Sequence, residues 1–293
     1  MQGVKRAKTS LKLATLVVPS RRLAVKEAIK ALVRDTLRKF NIRAGDYDVI
    51  SLAICKADGY DRIPPYLVLL QSLPNDVIKL VLPHVLKARS QIGQDLFVQA
   101  TLNFKQDGYF VEFGATNGVD LSNSFMLEKS FGWNGILAEP AMFWHDALKK
   151  NRECNIDTAC VWRVSNSSLE FNEVNAAAHS TLNSFSDGDC HASLRKKGRK
   201  YKVETISLVD LLDKHRAPAD IDYLSLDTEG SEFEILNAFD FDKYRFKIIT
   251  CEHNHTANRD KIYSLLSARG YQRTMESVSD FDDRYVRNDI INR

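Results

Sequence analysis

The chain has 293 residues, 44% of them hydrophobic and 27% charged, with a formal net charge of +3. This composition is ordinary for a globular protein, and no apolar run approaches the ~18–20 residues that would span a bilayer. The five cysteines are odd in number and widely spaced, which excludes a disulfide framework and a zinc ribbon.

The N-terminal region carries most of the basic charge. Residues 1–45 contain twelve Lys and Arg against two Asp and Glu, which gives +10 and leaves −7 for the other 248 residues. A basic arm on an acidic body suits contact with nucleic acid, an anionic lipid surface or an acidic partner, and a solvated helix face is the favoured alternative. The apolar stretch "LATLVV" near the start is too short for a signal-peptide core, so we expect a cytoplasmic protein.

Periodicity in the first 90 residues predicts mainly helix. Apolar residues over 21–40 recur at helical spacing between charged ones, as in an amphipathic helix. Pro64 and Pro65 predict an extended or turn segment before a further helix, which breaks near Pro83.

From about residue 107 the pattern changes to strand, turn and helix in alternation. This alternation predicts an open, mostly parallel α/β sheet, whose ligands bind at the carboxyl ends of the strands. We therefore expect a mainly helical extension over 1–90 and an α/β domain over 91–293. The predicted strands are the apolar runs 109–114, 134–140, 156–162, 221–230 and 246–254, and the predicted helices are 121–131, 141–151, 231–239 and 258–270.

The first strand runs into a glycine turn, in "FVEFGATNG" at 110–118. Gly114 permits a tight turn, and Gly118 lets the backbone approach a ligand closely. Glu112 is an acid inside an apolar strand, which costs several kcal/mol unless a protein group or a ligand pairs with it. The stretch lacks the G-x-G-x-x-G of dinucleotide sites. An acid beside the turn suits the ammonium and sulfonium groups of S-adenosylmethionine.

The second predicted strand also ends in an acid. Glu139 lies 21 residues after Gly118, the spacing at which a carboxylate accepts both ribose hydroxyls of a bound nucleoside. A turn or N-cap acid before Pro140 is the alternative reading. Glu112 and Glu139 together predict the two ends of one site for an adenosyl amino acid.

Two stretches of the sequence resemble the FkbM-type methyltransferases. They are "EFGATNGVDLSNSFMLEKSFGWNGILAEP" from Glu112 and "IDYLSLDTEGSEFEIL" from Ile221, and the resemblance covers about 90–290. Members of this family use S-adenosylmethionine, mostly to methylate hydroxyls of sugars or polyketides. The resemblance implies the Rossmann-like class I methyltransferase fold, with seven strands in the order 3-2-1-4-5-7-6 and the seventh antiparallel. Many class I relatives have a glycine where this chain has Thr116, so we expect Thr116 and Asn117 to contact the cofactor.

Acidic residues also follow the strand "YLSL". Asp227 ends this strand and Glu229 lies in the turn after it, at the edge where the methyl group of the cofactor would lie. We expect both to be catalytic or to bind the substrate. Ser231 and Glu234 form a capping-box pattern and are expected to be structural.

The next strand ends in "CEHNH". Methyl transfer to a hydroxyl requires alignment, exclusion of water and removal of the hydroxyl proton. His253 is the first candidate for the base and Glu229 the second. Asp227 with Glu252 resembles the acid pair that holds magnesium in metal-dependent O-methyltransferases, so Mg²⁺ is a candidate cofactor.

The insert over 173–200 is long for a simple connection, which predicts a lid or substrate loop. Its basic run "RKKGRK" either faces an anionic substrate or is solvated.

The leading hypothesis is an S-adenosylmethionine-dependent O-methyltransferase that acts on a hydroxyl of a carbohydrate, a glycoconjugate or a related natural product. A non-catalytic S-adenosylmethionine-binding scaffold and a methyltransferase for another acceptor class are the alternatives. The chain lacks the Asn/Asp-Pro-Pro-Tyr motif and the Pro-Cys nucleophile of nucleic-acid methyltransferases, so we expect no specific nucleic-acid partner. The missing G-x-G-x-x-G disfavours a nicotinamide dehydrogenase.

Overall fold

The computed structural model describes residues 63–174, 179–188 and 192–291. The basic arm over 1–45, with its predicted helix over 21–40, lies outside these ranges. The predicted domain boundary between residues 90 and 91 stays a prediction. Among the described helices, none is both long enough and apolar enough to cross a membrane.

Strand and helix alternate from Tyr109 onward, as predicted. The strands are β1 (Tyr109–Phe113), β2 (Asn134–Ala138), β3 (Asn155–Asp157), β4 (Cys160–Trp162), β5 (Ser168–Glu173), β6 (Thr181–Leu182), β7 (Arg199–Ser207), β8 (Asp220–Leu226), β9 (Arg245–Glu252), β10 (Tyr271–Thr274) and β11 (Asp282–Arg287). The α-helices are α1 (Ile63–Ser72), α2 (Asn75–Val81), α3 (Gln94–Thr101), α4 (Phe125–Phe131), α5 (His145–Asn151), α6 (Ala192–Arg195), α7 (Leu208–Lys214), α8 (Glu232–Asn237), α9 (Asn258–Ala268) and α10 (Asn288–Ile291). Single 3-10 turns cover Leu82–His84, Met142–Trp144 and Asn183–Phe185.

Three prolines mark the limits of the first two helices. Pro64 and Pro65 lie in the first turn of α1, where a backbone N–H has no helical partner and proline is well tolerated. These prolines therefore begin the helix instead of forming the predicted turn before it. Helix α2 ends at Val81, and Pro83 lies in the 3-10 turn that follows, which confirms the predicted break.

Seven strands form the main sheet, in the order β3-β2-β1-β8-β9-β11-β10. The pairs from β3 to β9 are parallel, and β11 runs antiparallel to both of its neighbours. Numbered along the chain, the order is 3-2-1-4-5-7-6 with the seventh strand antiparallel. This confirms the predicted α/β fold of the class I methyltransferases.

The central strands of the main sheet are buried on both faces. Val111 in β1, Leu224 in β8 and Ile249 in β9 have no exposed surface, which explains why these strands are continuous apolar runs in the sequence. Helices α7, α8 and α9 pack their apolar sides against them in one continuous core. Full burial of each such side chain stabilises the fold by ~1.5–3 kcal/mol.

The predicted strand over 156–162 is in fact two strands in different sheets. β3 pairs with β2 in the main sheet, whereas β4 pairs with β7. The buried carboxylate of Asp157 separates them, because it accepts a hydrogen bond from the Ala159 N–H at 3.0 Å and contacts His215 Nε2 at 2.9 Å. These bonds hold a tight turn directly after β3.

A second sheet of four strands, in the order β4-β7-β5-β6, was not predicted. β5 pairs antiparallel with β7 and with β6, and Phe171, Leu182 and Val203 form its small apolar core. The described part of the predicted insert therefore contributes β6, α6 and the start of β7 to a sheet.

Candidate functional site

The loops at the carboxyl edge of the main sheet surround a cavity of ≈ 300 Å³. This is the edge at which open α/β sheets bind small molecules. Loops after β1, β2, β8 and β9 form its polar walls, and the second sheet forms an apolar wall. The lining includes the carboxylates of Glu112, Asp120, Glu139, Asp227, Glu229 and Glu252, and the apolar side chains of Val161, Phe171 and Leu182.

Glu112 receives its partners from the protein. Its carboxylate accepts hydrogen bonds from the Asn123 N–H at 2.8 Å, from Ser122 Oγ at 3.0 Å and from Ser124 Oγ. Arg152 Nη1 lies 4.0 Å from Glu112 Oε2. The buried acid therefore fixes the loop after the glycine turn, and it also lines the cavity.

Arg152 was not predicted from the sequence, although it connects the whole loop. Its fully buried guanidinium donates to Glu128 Oε2 at 2.8 Å, to the Gly118 carbonyl at 3.0 Å and to Ser124 Oγ at 2.9 Å. It also lies over the Phe110 ring. The residue follows α5, where the sequence pattern indicates only a basic side chain after a helix end.

The glycine turn has the left-handed backbone that its sequence predicts. Gly114 has φ +70°, and a Cβ there would lie 2.1 Å from the Asp227 carbonyl oxygen, so the turn after β1 approaches the end of β8 closely. Gly118 has φ +77°, and its Cβ would meet Leu148 and Arg152. Gly118 therefore approaches protein side chains closely, and its predicted contact with the cofactor stays a prediction.

The two polar residues of this turn have different surroundings. Thr116 lines the cavity and has φ +47°. The Asn117 side chain accepts from the Val119 and Asp120 N–H groups, both at 2.9 Å, and so stabilises the turn itself. Cofactor contact by Thr116 and Asn117 stays a prediction.

Glu139 lines the cavity at the end of β2. Its two carboxylate oxygens accept hydrogen bonds from the Thr116 and Ala141 N–H groups, both at 2.8 Å. Burial raises the pKa of Glu139 to about 7. Each oxygen keeps acceptor capacity, so the carboxylate can receive two hydroxyl donors from a ligand.

Asp227, Glu229 and Glu252 come together at the ends of β8 and β9. Carboxylate oxygens of the three lie within 4.8 Å of one another, as the strand ends predicted for Asp227 and Glu252. Burial and the neighbouring carboxylates raise the pKa of Asp227 and of Glu252 well above the usual range. Glu252 Oε2 is buried and has no hydrogen-bond partner among the described residues. A proton shared with the adjacent Asp227, which the raised pKa of both acids favours, would satisfy it, and so would a cation or a hydroxyl donor.

The insert holds Glu229. Arg195 Nη2 lies 2.7 Å from Glu229 Oε2, and His179 Nδ1 lies 3.1 Å from Glu229 Oε1. Thr181 Oγ1 donates to the Glu229 carbonyl at 3.0 Å, and Asn254 Nδ2 donates to Glu229 Oε2 at 3.3 Å. Glu229 itself has φ +58°, so several contacts maintain an uncommon backbone conformation.

His253, the first candidate for the base, does not line the cavity. Its ring is buried, Nδ1 accepts from the His255 N–H at 3.1 Å, and Nε2 lies 3.7 Å from Asp283 Oδ1. Asn254 and His179 line the cavity instead. The left-handed backbone of Asn254 and His255 ends the alternation of the strand, and sequence pattern alone does not show this.

The basic run of the insert is divided between a buried arginine that contacts a cavity residue and exposed lysines. Arg195 is buried against Glu229, while Lys196, Lys197 and Lys200 are exposed. Among the described residues that line the cavity there is no Lys or Arg. Contact of "RKKGRK" with an anionic substrate stays a prediction.

The family described as "Methyltransferase FkbM domain" matches residues 112–273, which is more than half of the chain. Solved methyltransferase structures are also similar to this chain. A methyltransferase FkbM from Methylobacillus flagellatus KT is 14% identical with a TM-score of 0.39, and the match covers 77% of this chain and 58% of that one. A precorrin-6y C5,15-methyltransferase from Geobacter metallireducens GS-15 is 12% identical with a TM-score of 0.37, covering 67% and 90%. The chain thus spans 58% of the length of the Methylobacillus structure. No curated protein matches it significantly.

Proposed function

Since the chain belongs to the FkbM methyltransferase family, we propose that it is an S-adenosylmethionine-dependent O-methyltransferase that acts on a hydroxyl of a carbohydrate or glycoconjugate. The observation that carries the proposal is the cavity at the carboxyl edge of the main sheet, with Glu139 and Asp227 on opposite sides of the Gly114 turn. S-adenosylmethionine supplies an electrophilic methyl group when it is bound there.

The cavity residues fit the parts of this cofactor. Glu139 has both carboxylate oxygens at the end of β2, where the ribose hydroxyls of a nucleoside would donate to them. Val161, Phe171 and Leu182 provide an apolar wall for the adenine ring. Asp227 lies across the Gly114 turn, where its carboxyl group would accept a hydrogen bond from the ammonium.

The charge of the lining supports a neutral acceptor. Six carboxylates line the cavity, and no Lys or Arg among its described lining residues would bind a phosphate or a carboxylate. An anionic group would find no cationic partner in the described lining, whereas the carboxyl groups whose pKa is raised by burial, those of Glu139, Asp227 and Glu252, can donate as well as accept hydrogen bonds. Carboxylates and the amide of Asn254 are, in contrast, suitable acceptors and donors for sugar hydroxyls.

His179 and Glu229 support removal of the hydroxyl proton. Both line the cavity, and the bond from His179 Nδ1 to Glu229 orients the imidazole in the way that a carboxylate orients a general base. The Asp227 carboxylate lies close to that of Glu229. The residues at the ends of β8 and β9 would therefore align the acceptor oxygen with the methyl group.

Calorimetry with S-adenosylhomocysteine and with NAD tests the cofactor. We expect S-adenosylhomocysteine to bind in the micromolar range, roughly −8 kcal/mol, and NAD not to bind. Glu139→Ala should weaken binding by about 1.5–3 kcal/mol, the usual contribution of hydrogen bonds to a charged group. Unchanged affinity in this variant would contradict the ribose assignment.

A second assay tests the acceptor, with methyl-labelled S-adenosylmethionine and matched sugars. We expect label in neutral glycosides and none in sugar phosphates or uronic acids. Tight S-adenosylhomocysteine binding without label in any hydroxyl acceptor would instead favour the non-catalytic scaffold.

A divalent cation at Asp227 and Glu252 is a second proposal. It is supported by the unpartnered Oε2 of Glu252 and by the closeness of the acids, because oxygen ligands suit Mg²⁺. Such an ion would lower the pKa of the acceptor hydroxyl. We expect Mg²⁺ or Mn²⁺ to bind the S-adenosylhomocysteine complex in calorimetry, and Glu252→Gln to abolish that heat while the exposed control Glu170→Gln keeps it. Full activity in EDTA would contradict this proposal.

A further inference from the structure

An exposed apolar surface lies beside the cavity wall and has no part in the proposed chemistry. Met142 is 46% exposed and Phe143 is 64% exposed. They lie three and four residues, respectively, after the cavity acid Glu139. Leu194, which is 48% exposed, lies on α6. Single exposed apolar residues are common on protein surfaces, but a Phe-Met pair at this exposure needs a physical reason.

The backbone beneath Met142 and Phe143 is held rigidly. The Phe143 N–H donates to Glu173 Oε2 at 3.2 Å, and the Met142 N–H donates to Tyr201 Oη at 3.1 Å. Tyr201 Oη in turn donates to Glu173 Oε2 at 2.8 Å. The fold thus fixes the 3-10 turn on the edge of the second sheet while the two apolar side chains project from it.

Basic side chains flank this turn. Arg199 pairs with Glu173 across β5 and β7, and its guanidinium lies over the Tyr201 ring at 5.6 Å. Lys196 and Lys197 precede it in the turn after α6, and both are exposed. Asn172 Nδ2 donates to the Arg195 carbonyl at 3.0 Å, so the basic turn is anchored at the same end of β5.

These residues form what we call the apolar–basic patch: Met142, Phe143, Leu194, Lys196, Lys197 and Arg199. We propose that the apolar–basic patch docks the protein on a membrane surface that contains anionic lipid. Apolar side chains that enter the headgroup region, surrounded by Lys and Arg, are the usual pattern of peripheral membrane contact. Each basic side chain near such a surface raises the partition constant by roughly fivefold.

The basic side chains and the exposed Phe143 together indicate what kind of partner the apolar–basic patch binds. An acidic protein would satisfy Lys196, Lys197 and Arg199 but gives no specific place to a projecting Phe143. A lipid surface accepts both, since its acyl boundary receives the apolar side chains and its phosphates receive the basic ones. The proposal goes beyond the proposed function and does not depend on methyl transfer.

Tryptophan quenching tests the docking on the full chain. Trp144 adjoins Phe143, with their ring centroids 4.7 Å apart, whereas Trp133 is only 2% exposed. Vesicles of phosphatidylcholine and phosphatidylglycerol with brominated acyl chains should quench the fluorescence of the wild type. Trp144→Phe should remove most of this quenching, which assigns the signal to the patch.

Two variants and one control complete the test. We expect Met142→Ser/Phe143→Ser and Lys196→Glu/Lys197→Glu each to weaken vesicle binding at least fivefold and to abolish quenching. Val164→Ser, a change at a similarly exposed apolar residue outside the patch, should leave both unchanged. Vesicle binding without Trp144 quenching would assign membrane contact to the basic arm and overturn the proposal, and so would an absence of binding. Equal binding to pure phosphatidylcholine vesicles would overturn the role of the basic side chains.

Discussion

At the scale of single residues, the buried charge of Glu112 shows how the cofactor loop is held. Glu112, Ser122 and Ser124 all meet Arg152, which also pairs with Glu128. Hydrogen bonds and a cation from the protein therefore stabilise the buried Glu112 carboxylate without a ligand. The fixed loop presents a preformed cavity, so ligand binding does not have to order it.

Arg152→Met should therefore destabilise the fold. It leaves the buried Glu112 without its cation and Glu128 with Lys129 as its remaining cationic partner, and removal of one partner from a buried pair costs about 3–5 kcal/mol. Urea unfolding measures this change. Arg163→Met is the matched control, because Arg163 forms an exposed pair with Glu234 at 3.5 Å and such pairs contribute about 0–1 kcal/mol. Equal effects of the two substitutions would show that Arg152 does not balance the buried acids.

The raised pKa of Glu139, about 7 in the free protein, predicts pH-dependent cofactor binding. Ribose hydroxyls donate to the ionised carboxylate, so binding favours the charged form and lowers this pKa. Below pH 7 the ligand must displace a proton, and the affinity for S-adenosylhomocysteine should fall up to tenfold for each pH unit. Calorimetry between pH 6 and 8 should show this slope. Glu139→Gln should flatten it, while the exposed control Glu170→Gln should not.

Substitutions of His179 and His253 distinguish two hypotheses about which histidine removes the hydroxyl proton. His179 lines the cavity and bonds to Glu229, whereas His253 is buried against Asp283. His179→Ala should lower the rate of methyl transfer roughly 10²–10⁴-fold, as for a lost general base, and should leave S-adenosylhomocysteine affinity unchanged. His253→Ala should act mainly on thermal stability. The reverse result in the labelled-methyl assay would restore His253 as the base.

Residues at strand ends were predictable, and residues placed by loops were not. Glu139, Asp227 and Glu252 could be predicted because parallel strands bring their carboxyl ends to one edge. Because Glu252 and His253 are successive residues at the C-terminal end of β9, their side chains point to opposite faces of the sheet, and of the two only Glu252 lines the cavity. Arg152 acts through contacts with residues 24–34 positions away in the sequence, and local pattern does not encode these.

At the scale of elements, the second sheet is the feature that supports the turn after β8. Thr181 in β6 donates to the carbonyls of Thr228 and Glu229. Arg195 on α6 donates from Nε to the His179 carbonyl at 2.8 Å, besides its contact with Glu229. The insert is therefore fastened to the turn after β8 by both backbone and charged contacts.

Arg195→Met should weaken the contact between the insert and the turn after β8. It leaves the buried carboxylate of Glu229 without its nearest cation, so the segment around α6 should open more often than the rest of the fold. Trypsin should then cleave at Lys196 and Lys197 faster than in the wild type, with cleavage sites identified by mass spectrometry. Arg163→Met serves again as the control. Unchanged cleavage would show that the backbone contacts alone hold the insert.

The second sheet could not be predicted from the sequence because its strands lack a clear period. In β5 two of the six residues are exposed and two are buried, and in β7 four of the nine are exposed and two are buried, so neither strand is an apolar run. β6 has only two residues. The central main-sheet strands β1, β2, β8 and β9 were predictable because burial makes them mostly apolar, whereas β10 and β11 are rich in polar residues and were not predicted from the pattern.

At the scale of the whole molecule, the strand order agrees with what the family resemblance implied. Alternation of strand and helix predicted only a mostly parallel sheet, since right-handed crossovers permit several orders. The antiparallel β11 between β9 and β10 came from the resemblance. Its pairing places Asp282 opposite Glu252, close to the cavity acids.

Helices α1 and α2 pack on the α/β domain, although they precede residue 90. Tyr66 Oη donates to the Ser90 carbonyl at 2.6 Å, and a Cβ on Gly93 would lie 2.7 Å from Leu69. Ile78 and Val81 are almost fully buried. Ser90 also forms a bridge with Leu121, whose side chain lines the cavity.

Truncation should therefore separate the basic arm from the structural helices. A protein that begins at residue 59 should keep its S-adenosylhomocysteine affinity and lose only the charge of the arm, with weaker binding to anionic vesicles. A protein that begins at residue 86 should lose the burial of Leu69, Ile78 and Val81, each contributing ~1.5–3 kcal/mol. That loss is comparable with the total stability of a domain, about 5–15 kcal/mol, so we expect low thermal stability and weak cofactor binding. Thermal unfolding and calorimetry on both proteins measure these outcomes. If the shorter protein is as stable as the longer one and binds as tightly, the fold begins after α2; if the longer one is folded but has lost cofactor affinity, the arm contributes to the cofactor site.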